Sequence, residues 1–254
     1  MEAGMANTNS KQERERLALL AGLAAGAVLG VAIGRRLPGR KPMPHLKTWQ
    51  RLLAAQRGEV AAAVLAARIQ AKYDRLYEAR PRFEHPALRW HLEQQLLPGL
   101  ALYRVMQEEY ATREQVETEV SALFNAAFTE PHMQQIALLR HLPRPFRVLR
   151  LLGQAQLALE FPSSGWEMET IEDSDRAWAF NVYSCFYLDV LTAYGAPELT
   201  RLFCQLDDVI YGALPPGLAF ERAGTLGRGD DRCDFRFCLE QANGRQQATM
   251  PPEA

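Results

Sequence analysis

Trp166-Glu-Met-Glu-Thr-Ile-Glu-Asp-Ser-Asp-Arg-Ala-Trp-Ala-Phe-Asn-Val-Tyr-Ser-Cys185 is where the chain changes its period. Upstream, apolar residues recur at helical spacing; within this stretch they alternate. Trp166, Met168 and Thr170 fall on one face of a first run, Trp178, Phe180 and Val182 on one face of a second, and Asp173-Ser-Asp175 makes the turn between them. A hairpin that follows a helical half predicts an α+β fold.

Downstream, Cys185 to Tyr194 reads as a helix stopped by Gly195. Pro197 and Glu198 open a second helix that runs to about Gly212, with Leu199, Leu202, Phe203, Leu206, Val209 and Ile210 as its apolar stripe. Pro215-Pro-Gly217 ends it. Leu218 to Leu226 and Arg232 to Leu239 then read as strands, the latter with Cys233, Phe235, Phe237 and Leu239 on one face. The expectation is a mostly antiparallel sheet of about four strands backed by helices, closing a domain over residues 45–240. The polar, proline-ended tail 241–254 is expected to be disordered.

Upstream of the hairpin, His45 to Glu78 is alanine-rich with helical spacing, weakly broken at Gly58. Ala87 to Tyr110 is helical with an expected interruption at Pro98-Gly99, and Thr112 with Gln115 is a capping-box signature for the next helix. Shorter helical pieces follow around Pro143 and Pro145.

Farther out, Leu17 to Gly34 carries no charge for eighteen residues, about 27 Å of helix against a bilayer core of about 30 Å. It reads as a single transmembrane helix between a short tail (1–16) and a basic linker (35–44). Gly22, Gly26, Gly30 and Gly34 share one face, which suits homo-oligomer contact. Arg35, Arg36, Arg40 and Lys41 outnumber Lys11, Arg14 and Arg16, so the globular domain is expected in the cytoplasm. The competing reading is a cleaved signal peptide with Ala32 and Gly34 at the cleavage site.

The 254 residues have a net charge of -1; the first fifty contribute +5, leaving -6 for the rest. A mildly acidic domain argues against nucleic acid as a partner. Four cysteines without close pairing fit free thiols in a reducing compartment.

Those cysteines set the candidate site. All four lie between Cys185 and Cys238, together with the acid pair Asp207 and Asp208 and the glycine-broken run Gly224-Thr-Leu-Gly-Arg-Gly-Asp-Asp-Arg-Cys-Asp234. On the second helix Cys204, Asp208 and Tyr211 follow i, i+4, i+7 beside Asp207. A thiol could attack an electrophilic carbon, but neighbouring acids raise its pKa, so activation would need Arg222, Arg232, a metal or a cationic substrate. Cys185, Cys204 and Cys233 could instead hold a divalent metal, although no C-x-x-C is present. They could also be small buried hydrophobes. The glycines lie between two strands, with no helix amino terminus to receive a phosphate. The five histidines show no metal-ligand spacing, and Tyr103 is either a pocket residue or a packing residue.

Phe180-Asn-Val-Tyr-Ser-Cys185, Tyr194-Gly-Ala-Pro-Glu-Leu199, Phe203-Cys-Gln-Leu-Asp-Asp208 and Thr225-Leu-Gly-Arg-Gly-Asp-Asp-Arg-Cys-Asp-Phe-Arg-Phe237 resemble the L-2-amino-thiazoline-4-carboxylic acid hydrolase family. The resemblance covers roughly Ala87 to Leu239 and is most specific from Asn181 onward. It implies hydrolytic opening of a cyclic isothiourea to a carbamoyl-cysteine. Under it, Cys185, Cys204 and Cys233 match recurrent cysteines, with Cys204 the first choice as nucleophile or ligand. Asp207 or Asp208 would hold the substrate's protonated nitrogens and Arg222 its carboxylate, with Thr225, Asp234 and Tyr103 lining the site. Two rivals stand beside it. Gly229-x-x-x-Cys233-x-Phe235 after a helical half is also similar to vinyl-reductase-type small-molecule-binding domains, which need no catalysis. The third reading is a membrane-tethered scaffold.

Overall fold

The computed structural model describes residues 42–240. The expected transmembrane helix, most of the basic linker and the carboxyl-terminal tail lie outside them. Among the described residues no helix is long and apolar enough to cross a membrane.

Helices α1 (Leu46–Arg57) and α2 (Glu59–Glu78) form an antiparallel pair hinged at Gly58, whose φ of 84° suits a residue without Cβ. Then α3 (Pro86–His91) runs through a π-helical turn at Leu92–Leu96 directly into α4 (Leu97–Glu109). The expected interruption at Pro98-Gly99 takes the form of this π-helical turn just upstream, and the helical run continues through it. Pro98 has no N–H to give Gln94, four residues back, and His45 Nε2 lies 3.0 Å from the Gln94 carbonyl in its place. Gly99 has a separate role, since a Cβ there would come within 2.7 Å of Phe203 and 2.8 Å of Phe124.

The capping box forms as expected and opens α5 (Arg113–Phe124), with Thr112 and Gln115 exchanging both hydrogen bonds. A π-helical turn leads to α6 (Glu130–Ala137), a 3-10 turn at Leu138–His141 follows, and α7 is Pro145–Glu160.

The hairpin is β1 (Trp166–Asp173) and β2 (Ala177–Cys185), joined where Ser174 accepts from and donates to Ala177. After α8 (Phe186–Ala193) and α9 (Leu199–Tyr211) come β3 (Leu218–Glu221) and β4 (Cys233–Leu239). The sheet is four-stranded and antiparallel in the order β1-β2-β4-β3. This confirms the α+β expectation. Strand β3 is shorter than the expected run to Leu226, because the Ala223 and Gly224 amides donate to the Asp234 carboxylate and turn the chain out of the sheet.

One sheet face is an aromatic ladder. Trp178 stacks on Phe237 at 5.2 Å and Phe180 on Phe235 at 5.0 Å, each pair directly cross-strand. Helix α7 lies so close to it that a Cβ on Gly153 would meet the Trp178 ring at 2.5 Å. On the opposite face Glu172, Arg236 and Glu221 form an ion-pair row. The aromatic ladder and the helical half share one core, with Trp49, Leu96, Phe124, Leu199 and Phe237 all within it.

Candidate active site

Arg222 is the hub of the site. It follows β3 by one residue, and its side chain is 2% exposed. Its guanidinium carbon is 5.6 Å from the Phe220 ring centroid and 5.1 Å from that of Phe235, so the ladder's end supplies π faces for the cation. Nη1 donates to Asp207 Oδ2 at 2.8 Å; Nη2 donates to Asp208 Oδ1 and to the Cys204 carbonyl, both at 2.7 Å. The residue expected to receive a substrate carboxylate is therefore already occupied. It holds the two aspartates of α9 in place.

Those two aspartates differ. Asp208 points outward with 55% of its side chain in solvent. Asp207, at 35%, faces inward, and desolvation pushes its carboxyl up to about 6; Arg222 opposes the shift and Asp208 adds to it. Oδ2 is engaged by Arg222, which leaves Oδ1 for a proton or an N–H. The arrangement is a carboxylate with base strength matched to neutral pH.

Cys204 and Cys233 feel the Asp207 charge, and Cys185 interacts with both of them. Burial pushes the Cys204 thiol up to about 12, with Asp207, Cys233 and Cys185 adding to it. The Cys185 thiol rises to about 11 by burial, offset only in part by the Leu188 and Tyr187 amides at the start of α8. Cys233 is raised by the same cause, although the Leu226 amide donates to its sulfur at 3.3 Å. All three are thiols at neutral pH, so none is a preformed thiolate nucleophile. Nor do they make a metal site: among the described residues no three His, Cys, Asp or Glu side chains come together in ligating geometry. The sulfurs sit instead in separate local settings, one at a helix start, one on α9 and one under the 3-10 turn Leu226–Arg228. Cys238 lies apart, on the polar face near Glu221.

That 3-10 turn seals the site. A Cβ on Gly227 would come within 2.8 Å of Cys204 Sγ and 3.1 Å of the Arg201 amide, so only glycine lets the turn rest on α9. The Thr225 amide is fixed by Asp230 Oδ2 at 2.7 Å, and Asp234 is consumed in holding Ala223 and Gly224. The Thr225 hydroxyl is buried without a protein partner, as is that of Thr200 on the α9 segment against which Gly227 packs. Tyr103 is not part of the cluster. Its hydroxyl donates to Glu198 at 2.9 Å between α4 and α9.

His91, Tyr187 and Glu160 were not singled out by spacing. His91 is 3% exposed; one ring nitrogen lies 2.9 Å from the Glu160 carbonyl and the other 2.9 Å from the Tyr187 hydroxyl. Burial lowers its pKa to about 4, so the imidazole is neutral, with Nε2–H donated to Glu160 and Nδ1 accepting from Tyr187. The Tyr187 pKa is raised well above its ordinary value by burial, then by Cys185 and Asp207, which places this pair at the inner end of the same polar seam. Two clefts open elsewhere. One, of about 490 Å³, lies along the outer side of α1; the other, of about 270 Å³, lies between α7 and the ladder. Neither is lined by the Asp207 cluster.

The family model for L-2-amino-thiazoline-4-carboxylic acid hydrolase matches residues 89–237. The chain belongs to this family. The match begins two residues before His91 and ends at Phe237, so it takes in the whole seam from His91 and Tyr187 to Asp207, Arg222 and Cys233. No curated protein and no solved structure gives a match.

Proposed function

We propose that the Asp207–Arg222 centre hydrolyses the ring of a 2-amino-thiazoline-4-carboxylate or a closely related cyclic isothiourea. The observation that carries this reading is Asp207: a carboxylate raised to about 6, anchored through one oxygen and free at the other, inside the family-matched region. Asp207 takes a proton from a water as the water oxygen bonds to the ring carbon between sulfur and nitrogen. The carbon–sulfur bond then breaks, its electron pair goes to sulfur, and Asp207 returns the proton to it. The second water proton ends on the ring nitrogen, giving a carbamoyl-cysteine with a free thiol. The Cys204 sulfur is covered by Gly227, where a Cβ would come within 2.8 Å of it, and its thiol is protonated at neutral pH, so the attack is given to water. The unpartnered Thr200 and Thr225 hydroxyls suit the polar groups of such a substrate.

The test is to supply the thiazoline to the full chain and follow the new thiol with a disulfide reagent, with mass spectrometry for the gain of one water. Thiol release that disappears in Asp207→Asn supports the reading. Tight binding without turnover would transfer the site to the small-molecule-binding class, for which three protonated thiols are no handicap.

Residues 17–34 are proposed to hold this domain at a membrane as a single span, with the domain on the cytoplasmic side. Protease protection of the amino-terminal tail in sealed vesicles, and its loss on replacing Val28 and Leu29 by lysine, tests that arrangement.

A further inference from the structure

Between Glu130 and Glu160 the chain carries no acidic residue, yet it has Arg140, His141, Arg144, Arg147 and Arg150. This stands out in a domain that is acidic over the remainder of residues 51–254. Arg150 is engaged by the Ser174 carbonyl and by Asp173 and Asp175. Arg140, Arg144 and Arg147 are exposed and have no carboxylate partner among the described residues; Arg140 bonds only His141.

The same surface is apolar where a solvent-facing helix should be polar. Helix α7 buries Phe146 and Leu149 inward, while Arg147, Leu151, Ala155, Ala158 and Leu159 are exposed along one outward stripe. Leu151 is 54% and Leu159 63% exposed, and Leu138, in the 3-10 turn beside the arginines, is 40% exposed. Unpaired arginines at one end of an outward leucine stripe form a helix built to lie in an interface, with its apolar side among acyl chains and its cations at phosphate depth.

We propose that Leu138 to Leu159 is a docking surface for an anionic lipid bilayer. A nucleic acid would match the arginines and leave the leucines unexplained. A second copy of this surface would match the leucines but offer the arginines no counter-charge, since residues 131–159 carry no acidic side chain. The position also fits the path of the chain. The His45 ring, three residues from the first described residue, is 4.5 Å from the Phe128 ring, and from there the eight-residue α6 covers about 12 Å to Leu138. This last point rests on the span proposed for residues 17–34; the unpaired arginines and the exposed leucines do not.

The experiment is amide hydrogen exchange of the full chain in vesicles of phosphatidylcholine alone and of phosphatidylcholine with phosphatidylglycerol. Exchange over 138–152 should slow only with the anionic lipid and return to its free rate at high salt. A factor of about five for each arginine near an anionic surface makes the bias toward the docked state on the order of 100-fold. Arg140→Glu, Arg144→Glu and Arg147→Glu together should abolish it, while unchanged exchange of β2 and β4 shows that the fold is intact. Leu151→Gln with Leu159→Gln should weaken it without altering its salt dependence. Equal exchange in both lipids overturns the proposal. So does protection by a DNA oligomer without lipid, or protection that follows protein concentration and ignores lipid charge.

Discussion

At one end of the buried polar seam, His91 and Tyr187 form a neutral knot in which both imidazole nitrogens have partners at 2.9 Å. At the other end, Arg222 and its two aspartates form a charged knot that leaves Asp207 Oδ1 unengaged and keeps one carboxyl poised near 6. Both are buried against aromatic rings, and both depend on contacts between segments far apart in the chain. The difference is in what each leaves over. The neutral knot is fully satisfied and can only hold; the charged one keeps a spare acceptor and so has chemistry to offer.

Asp207→Asn is the sharpest way to break that contrast. It should lower kcat by about 10²–10⁴, the range for losing a general base, with KM little changed and the protein at least as stable as the parent. Next comes Arg222→Met, which fits between Phe220 and Phe235 but strands the aspartates. A loss of about 2–3 kcal/mol in urea unfolding is expected, below the 3–5 typical of a fully buried pair because both carboxylates reach solvent. His91→Phe leaves the Tyr187 hydroxyl and Glu160 carbonyl unpaired and should cost about 1–3 kcal/mol. It should leave the pH dependence of turnover where it was; a displaced profile would mean that the neutral knot takes part in proton transfer.

Stability against pH separates the two ends by sign. The Asp207 carboxyl titrates higher folded than unfolded, so its stabilising contribution is present below pH 3.8 and lost as pH rises through about 6. The His91 pKa is depressed, so its contribution is present above pH 6.5 and lost as pH falls through about 4. Asp207→Asn should therefore gain on the parent between pH 4 and 7, by about 1–2 kcal/mol after solvent screening of a part-exposed carboxylate. His91→Phe should flatten the acid limb. Cys204→Ala should do least: turnover within about tenfold of the parent, because a thiol with a pKa near 12 carries little nucleophile at neutral pH. Complete loss of thiol release in Cys204→Ala would return the attack to sulfur.

Elements defined by local period were legible in the sequence. The hairpin, the Gly58 hinge, the Thr112 capping box and the apolar stripe of α9 from Leu199 to Leu206 are each decided by residues within a few positions of one another, and each forms; Val209, also expected on that stripe, is exposed. What failed was decided at long range. The Pro98 break is softened to a π-helical turn whose Gln94 carbonyl meets His45, and β3 is cut short by Asp234 across the turn. Composition pointed to the segment that holds Asp207 and Cys204, but the cysteines of that segment sit in separate local settings. The residues' roles were not legible. No spacing rule says that Arg222 spends its donors on α9, or that His91 meets Tyr187 across 96 positions.

The bond from His45 to the Gln94 carbonyl also has a mechanical side. It ties the first described turn to the middle of a buried helix, with the Met43 amide on Gln70 as a second stitch and the His45 ring wedged against Phe128. Residues 43–45 are thereby held on two sides, against α2 and against the π-helical turn. A load on this turn is passed straight to the π-helical turn Leu92–Leu96, next to His91. Stiffness at the domain's first turn is in this way a property of its buried middle.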